Sequence, residues 1–131
     1  MVLTDAEAVE RACLALSLPA SAPAKTWRVR RLDRPSEYVI VEVADHTACI
    51  DAASGALMLS ARYVPTLLSA EAAKRCVGAG PDAVAELVWK PCAVSQSPFD
   101  AIWLISDHGQ AQYVDQRGRP WASLEPKRPG G

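Results

Sequence analysis

The sequence predicts an α+β protein of two tandem repeats, each a helix packed on an antiparallel sheet of three to four strands. Two observations carry that expectation. A set of residue marks recurs in the same order in the second half of the 131 residues, and inside each set the apolar pattern changes from helical to alternating spacing. The repeats fall at 1–62 and 63–125, and 126–131 forms a tail.

The marks are specific. LTDAEAVERACLAL and LSAEAAKRCVGAG share Glu-Ala-x-x-Arg, with Glu7 and Arg11 in one and Glu71 and Arg75 in the other, an offset of 64 (11 to 75). Trp27 precedes Asp45-His46 by the same 18 positions that separate Trp89 from Asp107-His108, an offset of 62 (27 to 89). Each set closes on an apolar residue, an aspartate and a glycine turn, IDAASG at 50–55 and VDQRG at 114–118, with the aspartates again 64 apart (51 to 115).

In chain order, Thr4 with Glu7 three residues later makes a capping box, and Ala6, Val9, Cys13 and Leu16 share one face of the helix that follows. Glu7 and Arg11 pair at i,i+4 on the other side. LPASAPA at 18–24 reads as irregular. Strands are expected at 27–32 and 38–43, with a turn at 34–36 and a second at Asp45-His46-Thr47. A meander then runs through 48–51 and 56–60 around the glycine turn.

The apolar segment 63–67, with Pro65 in its middle, is too short for a flexible linker, so the halves are expected to pack together. Ser69 is the N-cap of the second helix, and Gly78, Gly80 and Pro81 end it early. Strands at 101–106, 110–114 and 121–124 repeat the meander, and 126–131 has nothing to bury and frays.

A helix opening with Thr or Ser and Glu-Ala, a strand, and a hairpin ending in IDAASG or VDQRG resembles the PepSY domain. That resemblance implies a cystatin-like helix-on-sheet fold and an inhibitory or chaperone-like binding role without catalytic residues. Most PepSY domains lie outside the cytoplasm, whereas this chain opens without a secretory signal pattern. The chain is also similar to small bacterial immunity proteins, some of which end in an Asp-x-x-Gly hairpin.

Composition narrows the function classes. A formal net charge of -1 argues against a general nucleic-acid binder, which needs a positive excess to displace counterions. No apolar run approaches the ~20 residues of a membrane-spanning helix, and the expected location is the cytoplasm. Cys13, Cys49, Cys76 and Cys92 sit in apolar segments at irregular spacing and are expected as reduced core thiols. They lack the C-x-x-C spacing of a zinc knuckle, so no metal or other cofactor is expected. Gly78 and Gly80 follow a helix, the wrong order for a phosphate loop.

A cysteine nucleophile requires Cys49 or Cys92 beside His46 or His108; both histidines follow an aspartate in an expected hairpin turn, where each would sit exposed. WRVRRLDR places Arg28 and Arg30 on one face of a strand, expected to be the solvent face, with Arg31 adjacent. This row suits an acidic ligand or a nucleic-acid backbone. Trp27 and Trp89 hold matching positions and are expected in the core. Trp103 and Trp121 belong to the second set alone and are candidates for a contact surface.

The leading expectation is a non-enzymatic inhibitor or immunity-type protein that blocks another bacterial protein encoded nearby. Its candidate contact residues are Arg28, Arg30, Arg31, His46, Trp103, His108 and Trp121. A small Cys/His enzyme and a binder of acidic ligands through the arginine strand are the alternatives.

Overall fold

A computed structural model describes residues 2–19, 21–62 and 67–125. Most of the expected connection at 63–67, Ala20 of the irregular loop and the expected tail at 126–131 lie outside the described residues. The protein is α+β, with two helices and eight antiparallel-paired strands among the described residues. It divides into two compact units, Met1–Pro65 and Thr66–Gly131.

The first unit contains α1 (Asp5–Leu16), β1 (Ala24–Arg31), β2 (Glu37–Val43), β3 (His46–Asp51) and β4 (Leu57–Ala61). Its strands form an antiparallel ladder in the order β4-β3-β2-β1. The capping box starts α1: the Glu7 N–H donates to Thr4 Oγ1 at 3.2 Å, and the Thr4 N–H donates to Glu7 Oε1 at 3.0 Å. Ser17 ends the helix in the left-handed region at φ 56, and the Leu18 N–H closes back onto the Cys13 carbonyl at 2.8 Å.

The buried seam of α1 is Ala8, Ala12 and Cys13, while Ala6 is exposed. It is therefore rotated from the Ala6-Val9-Cys13-Leu16 face read from the sequence. Two alanines bring the helix backbone close to the β-branched side chains of the sheet, and Val9 and Leu16 fill the flanks. With Val39, Val41, Val43, Ala48 and Ile50 they form one core, closed at its rim by Leu3, Leu18 and Ala22. The opposite face of the ladder carries Val29, Tyr38, Ile40 and Cys49, also fully buried. Burial on both faces explains the unbroken apolar run of β2.

The second unit contains α2 (Ala70–Cys76), β5 (Val84–Trp89), β6 (Ile102–Asp107), β7 (Gln110–Val114) and β8 (Pro120–Trp121), with the strands paired in that order. Ser69 caps α2 by accepting the Ala72 N–H at 3.1 Å. Gly78, at φ 65, stops it: the Gly78 and Ala79 N–H groups donate to the Arg75 and Lys74 carbonyls. Such a reversal requires a left-handed residue, which glycine adopts without a Cβ penalty.

β8 is shorter than the strand expected at 121–124. Between β5 and β6 the chain makes a long excursion over 90–101. It is pinned by Ser95, whose hydroxyl donates to the Asp100 carbonyl at 2.8 Å and accepts the Trp89 indole N–H at 3.3 Å.

Candidate functional site

The β2–β3 and β6–β7 hairpins share one register. Val39 faces Ile50 and Val43 faces His46 in the first; Trp103 faces Val114 and Asp107 faces Gln110 in the second, each position 64 residues on. Both turn through two residues, Ala44-Asp45 and His108-Gly109. His108 and Gly109 both have positive φ, at 49 and 79, as a type I′ turn demands.

This register corrects the matching of the two Asp-His pairs. Asp45 lies in its turn and His46 opens β3, whereas Asp107 ends β6 and His108 lies in its turn. The pairs are 62 residues apart while the hairpins coincide at 64, so the histidines occupy different places.

The glycine turns also use one device. The Asp51 N–H donates to the Ala56 carbonyl, and the Gly55 N–H donates to the Asp51 carbonyl. One residue shorter, the Asp115 N–H donates to the Arg119 carbonyl and the Gly118 N–H to the Asp115 carbonyl. Gly55 and Gly118 have φ of 76 and 84.

Asp51 Oδ2 accepts the Ser54 N–H and hydroxyl at 2.8 and 2.7 Å. Partial burial works to raise its carboxyl, but the Ser54 and Ala53 hydrogen bonds outweigh that and hold it below the usual range. Asp115 is buried and accepts the Arg117 and Arg119 N–H groups and the Trp121 indole N–H. These carboxylates organise backbone, so the VDQRG turn is a structural element.

The units part company on the face of the hairpin that carries the helix. In the first unit, Val41, Val43 and Ala48 are fully buried, covered by α1, Leu16 and Leu18. The same positions in the second are Ile105, Asp107 and Gln112, with Gln110 in place of His46. Gly78 and Gly80 stand 64 residues after Leu14 and Leu16. The helix stops short and leaves an open cavity of about 510 Å³ lined by Gly78, Ile105, Asp107, His108, Gln110 and Gln112, among others.

Cross-strand pairs share a face, so Asp107 with Gln110 and Ile105 with Gln112 form a two-by-two patch on its floor. Ile105 is buried, and both glutamines are exposed. Asp107 Oδ2 accepts the Gly80 N–H at 3.2 Å, which fixes the carboxylate at the cavity edge; its Oδ1 lies 3.4 Å from His108 Nε2.

Of the seven candidate contact residues, His108 alone lines this cavity among the described residues, with its side chain 94% exposed. The arginine strand is a correction. Arg28 points to the face that bears α1, where its Nη2 donates to the Leu3 carbonyl at 2.8 Å and to Asp5 Oδ1 at 2.7 Å, and its Nη1 to Glu37 Oε1 at 3.4 Å. It clamps the entry of α1 onto the sheet. Arg31, its side chain only 9% exposed, donates from Nε and Nη2 to both Asp33 oxygens. That bidentate pair holds the Asp33 carboxyl below the usual range. Arg30 is exposed and lines a smaller cavity of about 360 Å³ with Arg31, Ser36 and Glu37. An open guanidinium row is therefore not what the strand presents, because the acids of its neighbours neutralise it.

His46 is partly buried; its Nδ1 is enclosed without a hydrogen-bond partner, since Asp45 Oδ1, 2.9 Å away, lies outside hydrogen-bonding geometry. Trp103 is a core residue, 9% exposed, donating its indole N–H to the Leu68 carbonyl at 3.0 Å. Trp121 is half-buried against Tyr113 and tied to Asp115.

Cys13, Cys49 and Cys92 are buried, whereas Cys76, expected in the core, is exposed on the last turn of α2. Burial pushes the Cys49 thiol up to about 12, away from the thiolate a nucleophile uses. The Cys92 thiol donates to the Ser95 carbonyl. Among the described residues, no three His, Cys, Asp or Glu side chains are placed to hold a metal ion, and no helix is long and apolar enough to cross a membrane.

Asp107 entered the motif reading only as the aspartate before His108, and Gln110 and Gln112 escaped it because neither belongs to a catalytic or metal pattern. The signal for the site was comparative: polar residues at positions where the first set has Val43 and Ala48, and Gly80 in place of the covering Leu16. No protein-family model matches the chain, and neither a curated protein nor a solved structure matches it.

Proposed function

We propose that this chain is a non-catalytic protein-binding module, an inhibitor or immunity-type protein that blocks another bacterial protein in the cytoplasm. In this reading the two units descend from one PepSY-like helix-then-sheet ancestor by duplication. The first copy keeps its helix seated on the sheet and supplies stability; the second has lost most of that cover and offers the face to a partner.

The observation that carries this is the polar, concave patch around Asp107, Gln110 and Gln112, at positions whose first-unit counterparts Val43 and Ala48 are fully buried. The common register of the two hairpins and the common Asp-to-Gly turn support the duplication. Selection for stability alone favours filling such a cavity with apolar side chains, because buried apolar area contributes about 25 cal/mol per Å².

The test is co-purification of the tagged full chain with the products of adjacent genes, followed by an activity assay on whatever is retained. A retained enzyme or toxin whose activity falls in the complex is the expected result. Turnover of a substrate by the purified chain, with no partner retained, would overturn the reading.

A further inference from the structure

We infer that the cavity beside α2 is a receptor for an arginine side chain of the partner; this rests on the protein-binding reading above. Its floor and walls divide by chemistry. Ile105 is an apolar floor on which the three-methylene stem of an arginine can lie. Around it stand the Asp107 carboxylate and the Gln110 and Gln112 carboxamides, and among the described residues no lysine or arginine lines the cavity.

A guanidinium group carries five N–H donors in a planar fork and no acceptor. A carboxylate next to two carboxamide oxygens on one sheet face is a matching set of acceptors. Asp107 faces Gln110 directly across the hairpin, and Gln112 is the next same-face residue of β7, so all three can address one planar group.

An ammonium group would use fewer of these acceptors, since it is a compact point charge without the fork. The carboxylate is also held before a ligand arrives. The Gly80 N–H, presented by the turn that ends α2, fixes Oδ2 and leaves Oδ1 on the side of His108. Preorganisation of this kind lowers the ordering cost of binding. The first unit has no such receptor: its corresponding residues are Val41, Val43, His46 and Ala48, and three of the four are sealed under α1.

The experiment is an amide-resolved NMR titration of the full chain with three capped tripeptides that differ only in a central arginine, lysine or citrulline. Citrulline keeps the shape of arginine and removes the charge. Arginine is expected to shift the amides of Gly78, Gly80 and residues 107–112 and to bind at least about tenfold more tightly than citrulline, the loss typical of removing a charge-assisted hydrogen bond.

Asp107→Asn is expected to weaken arginine binding about tenfold. Gln110→Lys, at an exposed position where folding is not at stake, is expected to abolish it. Equal binding of arginine and citrulline, shifts confined to other surfaces, no shift at millimolar peptide, or unchanged binding by both variants would each sink the inference. Free arginine bound as tightly as the tripeptide would point to a small-molecule ligand and overturn the assignment to a partner side chain. If a partner is retained but arginine does not bind here, the receptor fails while the binding-module reading stands. If the arginine tripeptide binds but the chain turns over a substrate and retains no partner, the cavity is an arginine site and its assignment to a partner side chain fails together with the binding-module reading.

Discussion

The β2–β3 and β6–β7 hairpins have one register and opposite fates. In the first, α1 runs twelve residues and seals valines and an alanine; in the second, α2 runs seven and leaves an aspartate and two glutamines open. Strand pairing and helix cover are therefore separable. Backbone hydrogen bonds and the turn fix the ladder, while the length of the helix decides whether the ladder's face is core or surface.

The sharpest way to break this contrast is to exchange side chains between the hairpins. Val43→Asp puts an unpaired carboxylate under α1 and is expected to cost about 3–5 kcal/mol or to prevent folding. Asp107→Val, at the corresponding partly open position, loses only the Gly80 hydrogen bond and is expected to cost no more than about 2 kcal/mol. Urea unfolding of both variants decides it, and a tolerated Val43→Asp would show that the cover does not matter.

The glycine turns sharpen it next. Asp115→Ala removes the acceptor of two part-buried backbone N–H groups and the Trp121 indole, an expected loss of about 2–4 kcal/mol from hydrogen bonds to a charged group. Asp51→Ala touches the more exposed Ser54 contacts and is expected to cost about half as much. Equal losses would mean that the two turns are energetically alike despite their different burial.

Caps should separate the helices less. Thr4→Ala removes one half of a complete capping box, with about 1 kcal/mol expected, and Ser69→Ala removes a single bond, with about 0.5 kcal/mol expected. Thermal unfolding monitored by circular dichroism measures both. A larger loss from Ser69→Ala would assign α2 more of the stability than its length suggests.

The smallest effect is acid sensitivity. Glu7 is held below its usual range chiefly by the Thr4 backbone N–H, Asp33 by Arg31, and Asp45 by Arg62; Asp51 is held there by its turn against an opposing burial effect. All four lie in the first unit. Because their folded values are depressed, their contribution is complete above the unfolded carboxylate range and is lost as pH falls through the folded values, below about 4. Site-resolved carboxyl titration should show each of the four protonating below the ordinary value of its residue type. Their exposure keeps the stability change small.

Much of this protein was legible in its residues. Thr4 and Glu7 announced the capping box, Ser69 the second cap, Gly78 the early stop, and the two Asp-to-Gly turns their shared geometry, because each is a local device acting over a few residues. The arginine strand misled. Alternation placed Arg28 and Arg30 on one face, but which face looks to solvent depended on Asp5, Leu3 and Glu37 arriving from elsewhere in the chain. The Asp-His pairs misled likewise, since equal spacing from a tryptophan does not guarantee equal register in a hairpin.

The sequence by itself determined the two helices, their caps and the closing turns, since those rest on short-range sterics and hydrogen bonds; it did not announce β5 (Val84–Trp89). Only the tertiary structure decided which residues are exposed. A cavity exists where a helix ends before its sheet does, and neither segment alone encodes that mismatch.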